Sequence, residues 1–315
     1  MEIIHCNMET FASSDVPLAA CIGYFDGIHK GHQALIQKVN EICQQYDCES
    51  ALITFEPDPW VVLKGMKDVS HITPMQHRQE IGASLGIKKW IILDFDRKMA
   101  QISVSQFHED ILKRLQVKHL ICGNDFHYAN KGKGNIETLA ACSDFQLHVI
   151  EPILDEQQRI SSTQIEHQIQ QGKMEECKRQ MGRYYAMRGI IVQGNQMGRK
   201  YGYPTANLKL EDNYIIPKKG VYAGYVEYQN HYYPSIINIG NNPSFNYTQK
   251  TSIEAHIFDF QQNLYHQKCV FHFVKYLRNE IRFEGMEALA KQLTVDEAIA
   301  RELLKGEDDN AIKAL

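Results

Sequence analysis

The stretch from Gly194 to Leu208 sets three glycines, Gly194, Gly198 and Gly202, within nine residues, with Arg199 among them. Backbone amides with no side chain in the way can close on a polyphosphate, and a guanidinium beside them adds a fixed positive charge. Thr205 and Asn207 follow at a spacing of two. On an extended segment their oxygens point to one side and offer neutral ligands to a hard cation such as magnesium. Taken alone, the stretch is equally a glycine-rich turn ahead of a strand. A second cluster lies near the start, where His29 and His32 open a helical pattern just after Gly23, Asp26 and Gly27, with Gly31 between them. Amides and dipole at a helix N-terminus attract phosphate, and two imidazoles there can bond phosphoryl oxygens as charge builds on them. The same spacing suits a surface histidine pair or half of a metal site, although no third ligand stands nearby. Asp26 reads as a cap or site-organising carboxylate, because transfer between phosphates asks for orientation more than proton abstraction.

These residues need elements to hold them. In the first half, apolar runs at 18–25, 51–55, 90–95, 120–123 and 147–150 alternate with helical patterns. One pattern spans 32–46 with Leu35, Val39, Ile42 and Cys43, and another spans 103–115 with Val104, Phe107, Ile111 and Leu115. This is the rhythm of a parallel sheet with helical connections. The expected fold is α/β and Rossmann-like, with ligands at the carboxyl ends of the strands, where 23–32 falls. The stretch 160–183 is helical and polar and joins the halves, which gives domains 1–183 and 184–315. Beyond it, 187–192, 221–228, 232–239, 253–258 and 269–276 are strand-like between Gly, Asn and Pro turns. That spacing predicts a closed antiparallel β-barrel. The tail 286–304 sets Leu289, Leu293, Ala298, Leu303 and Leu304 roughly on one side of one or two helices that pack on the barrel.

With 43% hydrophobic and 23% charged residues in 315, the composition is that of a globular chain of two domains. A net charge of −4 gives no sign of a general nucleic-acid binder. No apolar run approaches the ~20 residues that cross a bilayer, and the start lacks a basic region before an apolar one. Neither nucleic acid nor membrane is expected as a partner, and a cytoplasmic location follows. The eight cysteines contain no Cys-x-x-Cys pair, so neither a zinc site nor a compact disulfide framework is expected. No Gly-x-x-x-x-Gly-Lys-Ser/Thr loop and no Gly-x-Ser-x-Gly elbow occurs, which argues against a P-loop kinase and a serine hydrolase.

The run that ends in Pro204, Thr205, Ala206 and Asn207 resembles the glycine-rich loop and signature of the riboflavin kinase family. The resemblance continues in Gly220 to Ala223, Asn238 to Gly240, Pro243 to Phe245, Glu254 to Phe260, Leu264 with Tyr265, and Leu277 with Arg278. Gly23 to His32 is similar to the nucleotidyltransferase motif of bacterial FAD synthetases. In order and spacing, the whole chain resembles the bacterial bifunctional riboflavin kinase/FMN adenylyltransferase family. This resemblance implies an N-terminal Rossmann-like adenylyltransferase domain, then a six-stranded antiparallel riboflavin kinase barrel with a C-terminal helix. It implies riboflavin, FMN and ATP as substrates and magnesium as cofactor.

For the kinase half the resemblance implies Glu254 as general base and Arg199 as catalytic cation. It sets Gly194, Gly198, Tyr203 and Pro204 at ATP, Thr205 and Asn207 at the metal, and Arg278 and Phe283 beside the flavin. Alternation alone makes Glu254 an outward strand residue. For the adenylyltransferase half it implies His29 and His32 in catalysis and Asn124 and Asp125 at the flavin. Gly23, Phe25, Asp26, Gly31, Ser161, Ser162 and Thr163 would then serve the ATP phosphates. The chain departs from the pattern at Asp58 for histidine, His127 for arginine, Ala129 for glycine and Glu166 for a basic residue. An acid at 166 facing the triphosphate turns attraction into repulsion, roughly a few kcal/mol at an effective dielectric of about 20. Two further readings stay open. One is a riboflavin kinase with an adenylyltransferase-like domain that no longer transfers AMP, which FAD formation from FMN and ATP would refute. The other is a flavin- or nucleotide-sensing regulatory protein, whose mark would be loss of Glu254 or of Thr205 and Asn207; all three are present.

Overall fold

A computed structural model of the protein describes residues 1–8, 14–194, 203–242 and 250–305. Six parallel strands form the first sheet: β1 (Glu2–Cys6), β2 (Leu18–Ile22), β3 (Glu49–Glu56), β4 (Lys89–Asp94), β5 (Val117–Gly123) and β6 (Gln146–Ile150), in the order β1-β4-β3-β2-β5-β6. β2 is apolar throughout because both of its faces are covered. Leu18, Ala20 and Ile22 pack with Phe107 and Ile111 on one side. Ala19 and Cys21 meet Leu35, Val39 and Ile42 of helix α1 (Lys30–Gln45) on the other. Each leucine, isoleucine, valine or phenylalanine side chain so removed from water contributes about 1.5–3 kcal/mol before entropy is counted. The remaining connections are α2 (Pro59–Lys64), α3 (Met75–Ser84), α4 (Val104–Gln106), which runs on as a π-helical segment over Phe107–Lys113, and α5 (Ile136–Ala140).

All five expected strands of this half are present, and β1, an edge strand with mixed polar and apolar residues, went unread. The run 18–25 is cut short at Ile22 because Phe25 takes φ 60° and Gly27 φ 80°, which turns the chain out of the sheet. In strand order the sequence reverses between β2 and β5. The Gly23 and Gly123 segments therefore leave the sheet side by side at a topological switch point, where open α/β sheets bind ligands. Ala129, at the departure from glycine, sits at φ 60° and ψ −175°. Only glycine enters that region without cost, and a Cβ there stores about 1–3 kcal/mol. Ala129→Gly is accordingly expected to raise the urea midpoint by the equivalent of about 1 kcal/mol after the unfolded-chain entropy is offset. An unchanged or lower midpoint would refute the strain.

Contacts divide the chain into Met1–Val69 with Thr73–Ser161, and Ser70–Ile72 with Ser162–Leu315. The division falls ahead of the expected boundary at 183, because α6 (Ser162–Gln171) packs with α7 (Met174–Met181), and α7 packs on the barrel strands. The barrel strands are β9 (Tyr185–Val192), β10 (Ala206–Leu210), β11 (Gly220–Tyr228), β12 (His231–Asn242), β13 (Lys250–Ile257) and β14 (Lys268–Arg278). A short hairpin, β7 (Leu154–Asp155) and β8 (Gln158–Arg159), belongs to the first unit. The barrel closes in the order β10-β13-β12-β11-β14-β9. The expectations for this half omitted only β10 as a strand. The tail forms one helix, α8 (Met286–Leu303). The expected packed side needs correction, since Ala298 and Leu303 face solvent while Asp296, Ala300 and Leu304 are buried. A 3.6-residue period joins 296, 300 and 304 on one stripe and puts 298 on the opposite side, while Leu303, at the edge of that stripe in the last turn, is 40% exposed.

Candidate functional site

In the first unit, His29 is the N-cap of α1. Its Nδ1 accepts from the His32 amide at 3.4 Å, and the two rings stack 3.7 Å apart with 16° between their planes. Phe25 packs 5.1 Å from His32. Gly31 permits the arrangement, because a Cβ there would come within 3.0–3.1 Å of the His29 ring. Two imidazoles thus share one helix start, where backbone amides and dipole favour an anion. Asp26 Oδ1 accepts from the Thr73 amide at 2.9 Å and lies 4.0 Å from Nε of Arg78. Arg78 is 1% exposed and donates to the carbonyls of Thr73 at 2.6 Å and Tyr24 at 2.9 Å. Burial pushes the Tyr24 hydroxyl above the ordinary phenol range; Arg78 opposes the shift, and the neighbouring Asp58 carboxylate adds to it. Thr73 and Arg78 were not read from sequence, and a buried arginine on a helix carries no motif that would reveal it.

Beyond β5, Asn124 donates to Glu151 at 3.3 Å, and Asp125 accepts from Arg159 at 2.6 Å. His127, also exposed, turns its ring to the Asp125 carbonyl at 2.8 Å. Nearby, the segments that follow β3, β4 and β5 line a pocket of about 460 Å³ with Leu63, Phe95, Arg97, Ala129 and Lys131. Apolar walls with a cationic rim suit a flat ring system that carries phosphate. Ser161 ends the first unit, and Ser162 and Thr163 open α6 in the second, where Gln170 donates to Glu166 at 3.4 Å.

In the second unit, one rung of register partners runs around the barrel through Asn207, Glu254, Asn238, Val221 and Arg278. Residues far apart in sequence are thereby brought to one level. Ile253, Ala255 and Ile257 are buried inward, so Glu254 stands on the outer wall and is half-buried there. Burial raises its carboxyl above the ordinary range, and a hydrogen bond donated by Thr205 Oγ1 at 3.3 Å opposes the rise. Gly194 lies against Asn207 so closely that a Cβ would meet its amide at 2.3 Å. Tyr203 bonds Thr294 at 2.9 Å and packs 5.0 Å from His256, whose Nδ1 lies 2.9 Å from the Pro204 carbonyl. Gly198, Arg199, Gly202 and the Pro243 to Phe245 motif lie outside the described residues.

Thr205 also borders a pocket of about 540 Å³ lined by Pro204, Ala255, Leu264, Tyr265 and the amides Gln261 and Asn263. The family resemblance takes in Leu264 and Tyr265, but no role for 260–265 is legible in the sequence. Among the described residues no group of three or more His, Cys, Asp or Glu side chains is set to hold a metal ion. Thr205 and Asn207 instead offer neutral oxygens beside one carboxylate, a donor set that fits a hard cation sharing its shell with phosphate and water.

Arg278 stands three strands from Glu254 along the rung, about 14 Å around the wall at ~4.8 Å per strand. Its Nε is 3.0 Å from both carboxylate oxygens of Asp296, and Nη2 donates at 2.6 Å; Asp296 is 1% exposed. Phe283 lies 6.0 Å from the guanidinium carbon. The charge of Arg278 is thus committed to holding α8 on the barrel. Arg278→Met is expected to destabilise the protein by about 3 kcal/mol in urea denaturation, because it leaves a buried carboxylate unpaired. A loss below about 0.5 kcal/mol would equate the pair with a surface ion pair.

Residues 12–164 match the family model described as FAD synthetase, and 181–304 match that described as riboflavin kinase. A bifunctional riboflavin kinase/FMN adenylyltransferase of Listeria monocytogenes is 33% identical over 301 residues, 95% of this chain and 96% of that one. A protein of the same description from Bacillus subtilis is 33% identical over 87% of this chain and 89% of its own. A solved structure from Streptococcus pneumoniae, described as a macrolide-efflux protein, is 30% identical with a TM-score of 0.89, covering 96% of this chain and 99% of that one.

Proposed function

The chain belongs to the bifunctional riboflavin kinase/FMN adenylyltransferase family, and from that premise we propose that it makes FMN from riboflavin on the barrel and FAD from FMN on the parallel sheet. The observation that carries the reading is the Thr205, Asn207 and Glu254 cluster beside Gly194, which combines a place for a hard cation with one carboxylate of raised basicity. Pumping a macrolide asks for neither.

In this reading Glu254 takes the proton of the riboflavin ribityl hydroxyl as it attacks the terminal phosphorus of ATP. Thr205 orients Glu254, and Gly194 gives Asn207 room to turn its amide oxygen outward. Magnesium would be held by Thr205 and Asn207, and when bound it neutralises charge on the phosphoryl oxygens. The pocket beside Thr205 takes the nucleotide, and Arg278 keeps α8 in place next to the flavin. On the first domain, assigned as 1–183, His29 and His32 bond the α-phosphate as FMN displaces pyrophosphate, and the pocket at Phe95 and Ala129 takes the isoalloxazine. No side chain there has to remove a proton from a phosphate already ionised at neutral pH.

Chromatography of the flavins tests both halves. Riboflavin, ATP and magnesium are expected to yield FMN, and FMN with ATP to yield FAD plus pyrophosphate. FMN without FAD, under both oxidising and reducing conditions, would leave the kinase alone.

A further inference from the structure

The segment between β2 and α1 is bent through positive φ at Phe25 (60°), Gly27 (80°) and Ile28 (34°), and two of these are not glycine. Such a path persists only where its surroundings over-determine it. The surroundings converge on one side chain. Arg78 donates from Nη1 to the Tyr24 carbonyl at 2.9 Å, which also accepts from Thr54 Oγ1 at 3.2 Å. The same guanidinium sits 4.8 Å over the Tyr24 ring, which meets Trp60 edge-on at 4.6 Å. From Nε it donates to the Thr73 carbonyl at 2.6 Å and lies 4.0 Å from Asp26 Oδ1, the oxygen already bonded by the Thr73 amide at 2.9 Å. Arg78 therefore ties the segment at Tyr24 and Asp26 to Thr73, and three residues after Asp26 the chain reaches His29.

We propose that Arg78 is a positioning residue for adenylyl transfer, a buried guanidinium that holds the Gly23–His29 segment in the one path that stacks His29 against His32 at the start of α1. The inference rests on the adenylyltransferase reading of this unit. It requires guanidinium rather than charge alone. A lysine ammonium is a point donor with no planar fork, and cannot reach Tyr24 O and Thr73 O in fixed directions while lying flat over a ring. Arg78 does not touch the reacting atoms. Its loss is expected in turnover, through misplaced imidazoles, and not in affinity for FMN, since the pocket at Phe95 and Ala129 does not include it.

The test compares full-length Arg78→Lys and Arg78→Met with the unaltered protein in three measurements. These are amide hydrogen exchange over 23–29, kcat and KM for FAD formation from FMN and ATP, and FMN formation from riboflavin as an internal check on the same molecule. Arg78→Lys is expected to speed exchange over 23–29 and to lower kcat for FAD by about 10-fold or more, as small misplacements do. KM for FMN and the kinase rate should stay within about twofold. Arg78→Met is expected to behave the same way, and if it fails to fold, the lysine variant decides. Unchanged exchange over 23–29 in Arg78→Lys overturns the proposal, as does an equal loss in both activities, which would mark a purely structural role. If the unaltered protein forms no FAD, the adenylyltransferase reading falls by itself, and exchange over 23–29 still decides whether Arg78 holds the segment.

Discussion

Glu254→Gln is expected to lower the turnover of riboflavin to FMN by about 10²–10⁴-fold, the range of a lost general base. The glutamine oxygen still accepts from Thr205, so geometry is kept and only the ability to take a proton is removed. FAD formation from supplied FMN should be unchanged, which separates a lost base from a lost fold. The raised carboxyl of Glu254 sets the sign of two pH effects. The base works ionised, so kinase activity should rise with pH through the raised value, with a midpoint above the ~4.3 of an exposed glutamate. Stability runs the other way. A carboxyl whose folded pKa is raised favours the folded state while it is protonated, and that stability is lost as pH rises through the folded value. At neutral pH the ionised carboxylate is therefore a cost, and Glu254→Gln should raise Tm while abolishing most activity. A kinase rate within about threefold of the unaltered protein would remove Glu254 from the role of base, and a Tm that falls would refute the cost of its ionised form.

The same residue marks the limit of what a sequence conveys. Alternation in β13 correctly makes Glu254 outward, since Ile253, Ala255 and Ile257 fill the barrel. What alternation does not carry is that outward here means half-buried beside Thr205 and Asn207, because cover by another segment has no period. Strands and connecting helices were legible for the opposite reason: two-sided burial leaves runs such as Leu18–Ile22, and one-sided burial leaves the spacing of Leu35, Val39 and Ile42. Where a polar residue sits on an apolar stripe the pattern misleads. Asp296 is buried because Arg278 meets it, and reading only apolar residues moved the packed face of α8 to Ala298 and Leu303. Long-range polar ties escape entirely. Nothing near Arg78 in the sequence points to Tyr24 or Asp26, whereas Gly23, His29 and His32 stood out because phosphate sites need small residues and donors in local order.

Gly194→Ala is expected to lower riboflavin kinase turnover by about 10²-fold with little change in stability, and the reason separates fold from function at one Cβ. The backbone at Gly194 lies outside the left-handed conformations, so alanine is tolerated there. The new methyl would meet Asn207 Nδ2 at 2.3 Å, Cγ at 2.5 Å and Oδ1 at 2.6 Å. These atoms end a flexible side chain that can rotate away at small cost. Rotation, however, takes the amide oxygen from the place where it would share a cation with Thr205. Asn207→Ala should produce the same loss without any clash, and the double substitution discriminates. If Gly194 acts only by making room for Asn207, the double variant loses no more than Asn207→Ala alone. Losses that multiply, to about 10⁴-fold, would mean that Gly194 serves the phosphate directly through its bare backbone. FAD formation from supplied FMN, which uses neither residue, is expected to hold steady in all three variants, and a fall there would trace the effect to folding instead of to the cation site.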